Sequence, residues 1–150
     1  MIRAYDESYL ASAQRVLGDA MDYALVTLGI DVEIFEQMFL KSDAAKQFSV
    51  GNPAYVAGRN GCELARDILD ASGYQYTPQV DTMYIDKSPE FWGGWSLAYY
   101  QWYTGKTFAD ILAAVSLSSI IALYPAYHEM DVGRFVEEMD RRTGDTRESA

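Results

Sequence analysis

His128, Glu129 and Asp131 put an imidazole and two carboxylates side by side in Y-P-A-Y-H-E-M-D, a set able to bind a metal or move a proton. A zinc-peptidase helix needs two histidines four residues apart with a glutamate between them. The chain has one histidine, so a metal would have to draw ligands from elsewhere, and a histidine hydrogen-bonded beside a helix start is the simpler reading. Cys62, the single cysteine, lies between Asn60 and Glu63, where a helix dipole would lower a thiol pKa. As a nucleophile it would need His128 as its base, and no spacing joins the two. A buried structural thiol is expected, and one cysteine excludes an internal disulfide. Gly58-Arg59-Asn60-Gly61 could offer backbone N–H groups to an anion, but it is not G-x-x-x-x-G-K-[ST] and follows no convincing strand. It reads as a tight turn. No catalytic residue, metal ligand or cofactor is expected.

The largest concentration of chemistry is aromatic. S-P-E-F-W-G-G-W-S-L-A-Y-Y-Q-W-Y-T, residues 88–104, holds all three tryptophans. Trp92, Trp95, Tyr99 and Trp102 recur at three, four and three, one stripe of a helix. Each such side chain carries roughly 150–250 Å² of surface, so the stripe must be buried in a core, or form a ligand groove or partner surface. If it is core, Trp95→Ala should cost about 3–5 kcal/mol. Gly94 and Ala98, four apart on another face, would admit a neighbouring helix at close range.

Charge supplies the other candidate surface. The net charge is −10, and half of it falls in residues 1–40, where Asp6, Glu7, Asp19, Asp22, Asp31, Glu33 and Glu36 face only Arg3 and Arg15. A surface of that sign disfavours a nucleic-acid backbone and permits a basic protein partner. Asp19, Asp22, Glu33 and Glu36 are the candidate contacts, expected on solvated helix faces. Residues 107–124 have helix-turn-helix spacing, but no lysine or arginine lies between Lys106 and Arg134 to reach phosphate or guanine.

The elements that must position these residues are helical. Leu10, Ala13, Leu17, Ala20, Ala24 and Leu28 form an amphipathic stripe opened by Asp6 or Ser8 and stopped by Gly29. Asp31 caps a short second helix with Val32, Phe35 and Phe39 on one side. Residues 49–61 read as a loop with one helical turn after Pro53. Asn60 and Glu63 form a capping box for a helix to Ala71. Alternation of Val80, Thr82 and Tyr84 allows a short extended segment near residues 80–85. Ser88-Pro89-Glu90 starts the aromatic helix, which Gly105 ends. Thr107 with Asp110 begins a helix through Val115, a further short one covers residues 117–124, and Asp131 caps the last. The expectation is one all-α domain of six to seven helices over residues 1–142, with residues 143–150 a frayed tail. The uncharged stretches 91–105 and 111–127 fall short of about 20 apolar residues for a membrane span, and the start has no apolar leader. A cytoplasmic protein is expected.

F-S-V-G-N-P-A-Y-V-A-G-R-N-G-C-E-L-A (residues 48–65), the tryptophan-rich segment 88–105 and Y-P-A-Y-H-E-M-D (124–131) together resemble a family of small acidic bacterial proteins. That family is associated with toxin–antitoxin and mobile-element gene neighbourhoods. The resemblance implies an accessory or inhibitory role and carries over no catalytic residue. With the charge it leads to a non-enzymatic protein that covers a basic nucleic-acid-binding site on its partner, an antitoxin-like or phage-borne, anti-CRISPR-type inhibitor. The alternatives are a small enzyme or ligand-binding domain using the aromatic groove, and a transcriptional regulator.

Overall fold

In the computed structural model, which describes residues 3–79 and 87–144, every regular element is a helix. A turn of 3-10 helix, Glu7–Tyr9, leads into α1, Leu10–Asp22. There follow α2 (Val32–Lys41), α3 (Asp43–Ser49), α4 (Pro53–Val56) and α5 (Gly61–Ala71). The aromatic helix is α6 (Pro89–Thr104). Four more close the chain: α7 (Phe108–Ala114), α8 (Leu117–Ile121), α9 (Tyr124–Tyr127) and α10 (Val132–Thr143). The all-α class is as expected, with ten α-helices among the described residues instead of six or seven. Of these, α4 is the helical turn expected after Pro53, and α3 and α9 are the unexpected ones, pieces of seven and four residues too short to show a periodic pattern.

Most helix starts are written in the sequence. Asp31 accepts from the N–H groups of Glu33 and Ile34, Asn60 and Glu63 form the reciprocal box, and Thr107 Oγ1 accepts from Asp110 N–H. Asp6 caps the 3-10 turn through Ser8 N–H, and α1 itself starts at Leu10, the first residue of its apolar stripe. The expected side-chain cap at Asp131 is absent, and its carbonyl alone accepts from Arg134 N–H at 2.9 Å. Beyond Asp22 the first helix widens into a π turn, Tyr23–Thr27, with Leu28 N–H donating to the Tyr23 carbonyl at 2.9 Å. Gly29 then takes φ +68, which a residue with a Cβ adopts only under strain. The extended segment expected near 80–85 and most of the expected tail lie outside the described residues.

The core forms around α1, which packs against α6 on one side and α5 on another. Leu17, Ala20, Met21, Ala24, Leu64, Ile68, Leu97 and Ala98 are all fully enclosed. Gly94 is what lets α6 in: a Cβ there would stand 2.5 Å from the Leu17 carbonyl oxygen. The chain ends of α1 and α6 are tied by a polar chain, in which Ser88 Oγ donates to Asp22 Oδ1 at 2.6 Å and accepts from Phe91 N–H at 3.0 Å.

Gly94→Ala should therefore lower stability by about 1–3 kcal/mol, because helix backbone cannot yield as a side-chain tip can. Gly133→Ala, whose added methyl meets nothing nearer than 3.5 Å, is the contrast and should gain up to about 1 kcal/mol from helix propensity. Urea denaturation of both variants checks this. Equal stabilities would mean that α1 and α6 do not meet backbone to backbone.

Candidate functional site

Helix periodicity turns the aromatic stripe roughly a third of a turn away from the Gly94 face, so the stripe points away from α1 while the Phe91 ring, outside it, lies against Gly18. The stripe then divides. At its C-terminal end Trp102 Nε1 donates to the Tyr5 carbonyl at 2.8 Å, Ala4 N–H donates to the Trp102 carbonyl, and Arg3 lies 3.8 Å from the Tyr103 ring centroid. Tyr99 is half-buried and stacks on Tyr103 at 6.0 Å. The N-terminal segment thus covers Trp102, which is core.

The N-terminal half of the stripe opens into a cavity of about 510 Å³ between α6, α9 and α10. Trp92 is its back wall, only 8% exposed, meeting Tyr124 and Phe135 edge to face at 6.0 and 5.4 Å. Trp95 is half-exposed on the same lining. Of the four expected groove residues, Trp92 and Trp95 are on the lining of this cavity, and Tyr99 and Trp102 are not on it. Its other lining includes Lys87, Ser96, Tyr124 and His128, which the stripe spacing alone could not indicate. The segment Y-P-A-Y-H-E-M-D was the signal for the last two, read from sequence as a metal or acid–base set.

His128 Nδ1 lies 2.7 Å from the Tyr124 carbonyl, and its ring stacks on Tyr124 at 4.0 Å. Glu129 Oε1 is 3.8 Å from Nε2. Cys62 is on α5, half-buried, on a helix that packs against α1. Among the described residues no three His, Cys, Asp or Glu side chains gather as a metal site. The α9–α10 corner that walls the cavity is braced by Glu138. This carboxylate accepts from Tyr127 Oη at 3.3 Å and Arg142 Nε at 2.6 Å, and from Arg141.

The acidic candidates do not share one solvated face. Asp22 is 9% exposed and bonded to Ser88, and Glu36 accepts from Leu117 N–H at 2.6 Å, closing the start of α8 from across the fold. Asp19 is half-buried, its Cβ 2.3 Å from where a Cβ on Gly61 would stand. Glu33 alone of the four is exposed. Near it Asp31 and Ile34 border a shallow concavity of about 870 Å³ that runs to Met38 and Tyr74. Ile34 is 48% exposed, a large aliphatic group set among carboxylates. No described helix is long and apolar enough to cross a membrane.

A scan against protein-family models returns no match, and comparisons with curated proteins and with solved structures return none either. The site is therefore argued from its geometry.

Two outcomes follow. Trp92→Ala should cost about 3–5 kcal/mol, while half-exposed Trp95→Ala should cost less, about 1–2 kcal/mol, in urea denaturation. Hydrogen bonds from Arg141 and Arg142 hold Glu138 down at about 2, against an ordinary 4.5. A depressed carboxylate pKa contributes stability that is complete above pH 4.5 and is lost as pH falls toward 2. Melting temperatures between those values should fall less steeply in Glu138→Gln than in the wild type. Parallel curves would show that this cluster adds nothing to acid sensitivity.

Proposed function

We propose that this chain acts by contact, without catalysis, covering a basic surface on a protein partner such as a nuclease or another nucleic-acid enzyme. This is the antitoxin-like or phage-borne inhibitor reading, with a cytoplasmic setting as part of it. The observation that carries it is Ile34, half out in solvent between Asp31, Glu33 and the concavity beside α2. An apolar centre with a charged border is the anatomy of a protein-binding patch. The net charge of −10 supports a partner of opposite sign. The proposed contact set is Glu33, Ile34 and Met38, with Asp31 held as the cap of α2. Asp22 and Glu36 are committed to internal hydrogen bonds and are left out of it.

The test begins with affinity capture by the tagged chain and identification of a stoichiometric partner, followed by binding kinetics on the purified pair. A rim charge acts mainly on association and a central apolar group mainly on dissociation. Glu33→Lys should slow association several-fold and reduce its salt dependence. Ile34→Glu should speed dissociation about tenfold or more, as loss of a hot-spot side chain does. Both variants should melt within a few degrees of the wild type, whereas Asp22→Ala and Glu36→Ala should lower the melting temperature. No stoichiometric partner, an acidic partner, or kinetics indifferent to both substitutions would sink the proposal.

A further inference from the structure

We propose that the cavity between α6, α9 and α10 is a separate small-molecule site, built for a flat apolar ligand that carries a carboxylate. Its volume of about 510 Å³ lies within the roughly 300–1,000 Å³ usual for ligand pockets. Six Phe, Trp and Tyr rings lie on its lining, Phe91 and Tyr127 among them. Trp92 stands edge to face with Tyr124 and Phe135, Trp95 lies half-exposed on the same lining, and a flat aromatic guest can continue that packing.

Polar groups on the lining define the rest of the ligand. Ser96 is 0% exposed, and its hydroxyl finds no hydrogen-bond partner among the described residues. A buried hydroxyl without a partner in a cavity wall is a standing cost that a ligand's polar atom relieves. Lys87 brings an ammonium group, held 4.5 Å from the Phe91 ring centroid. Among the described residues the lining contains no carboxylate, an unusual local balance in a chain of charge −10. Glu129, beside His128, is 88% exposed and therefore solvated and screened. A cationic guest is disfavoured because Lys87 already supplies the charge that an aromatic face attracts. Lys87 is exposed, so it favours an anionic tail over a cationic one and leaves the binding of a neutral guest to the rings. The recessed position of Trp92 and Ser96 fits a small molecule better than the flat surface of a protein.

The inference stands apart from the α2 contact, so failure of either leaves the other intact. The probes are 2-naphthylacetate, 2-(2-naphthyl)ethanol and 2-(2-naphthyl)ethylamine, one ring with a negative, neutral or positive tail, titrated calorimetrically into the full chain. The acetate should bind about tenfold tighter than the amine, the difference one close charge contact makes. Lys87→Met should bring that preference below about twofold while leaving the alcohol's affinity unchanged. Trp95→Ala, checked for folding by its cooperative melt, should lose all three. Ser96→Ala should weaken the acetate and not the melting temperature. Equal or tighter binding of the amine, an acetate preference that survives Lys87→Met, binding that survives Trp95→Ala, or no binding by any probe would each overturn the proposal.

Discussion

The approach of α6 to α1 at Gly94 constrains most of what lies around it. With no side chain at that position, the two backbones come within contact distance of each other, and a single added Cβ would meet the Leu17 carbonyl. The same seam uses Gly18, where a Cβ would stand 2.8 Å from the Phe91 ring, and Gly61 repeats the device where α5 meets Asp19 and Ala20. Dispersion falls steeply with separation, so a helix pair joined by glycine and alanine gains its cohesion from closeness instead of side-chain bulk. The bulk has to go elsewhere. On α6 it goes to the aromatic side, and that is why so many rings meet away from the central seam.

Those rings then need cover, and the chain supplies it unequally. Residues 3–5 lie across Trp102 and Tyr103 with two backbone-mediated hydrogen bonds and a stacked guanidinium. At the other end, Tyr124 and Phe135 of the α9–α10 corner meet the Trp92 indole edge to face and leave space beside it. Behind the corner Tyr127 Oη donates to Glu138, a tie between α9 and α10 that lies outside the cavity, while the two arginines that fix Glu138 belong to α10 itself. A space walled by rings that are fixed from outside is pre-organised, and a guest entering it loses less free energy to ordering the protein.

Helix class and most helix starts were legible because caps and periodicity are local: Asp31, Asn60, Ser88 and Thr107 each mark an N-terminus within three residues of their partner N–H. The short helices α3 and α9 were not legible, since one or two turns give no repeat to read, whereas Pro53 marked the single turn of α4. For the candidate surfaces the limit was different. Spacing placed Trp92, Trp95, Tyr99 and Trp102 on one face correctly, but which half stays open depends on residues 3–5 and 124–135, far away in sequence. The acidic residues failed in the same way. Nothing near Glu36 says that it will accept from Leu117, 81 positions on, or near Asp22 that Ser88 will reach it.

That last point changes what the net charge means. A sequence count treats every carboxylate as surface, yet Asp6, Asp31, Glu63, Asp22 and Glu36 all receive hydrogen bonds from helix starts or from side chains that cap them. Such a carboxylate neutralises part of the positive end of a helix dipole, so its field outside the protein is reduced before salt acts on it. Exposed groups such as Glu33 keep theirs, within a screening distance of about 8 Å at physiological ionic strength. The same short range allows Lys87 to set the sign of the aromatic cavity locally while the chain as a whole stays strongly negative. An anionic guest would approach against the overall field and be held by the local one, so its association would be slowed while its residence is not. On the proposed α2 contact a basic protein would meet the reverse order, drawn in by the long-range charge and retained by Ile34. The two proposed preferences would not conflict, because one would be set by the sum of charges and the other by a single ammonium group beside rings.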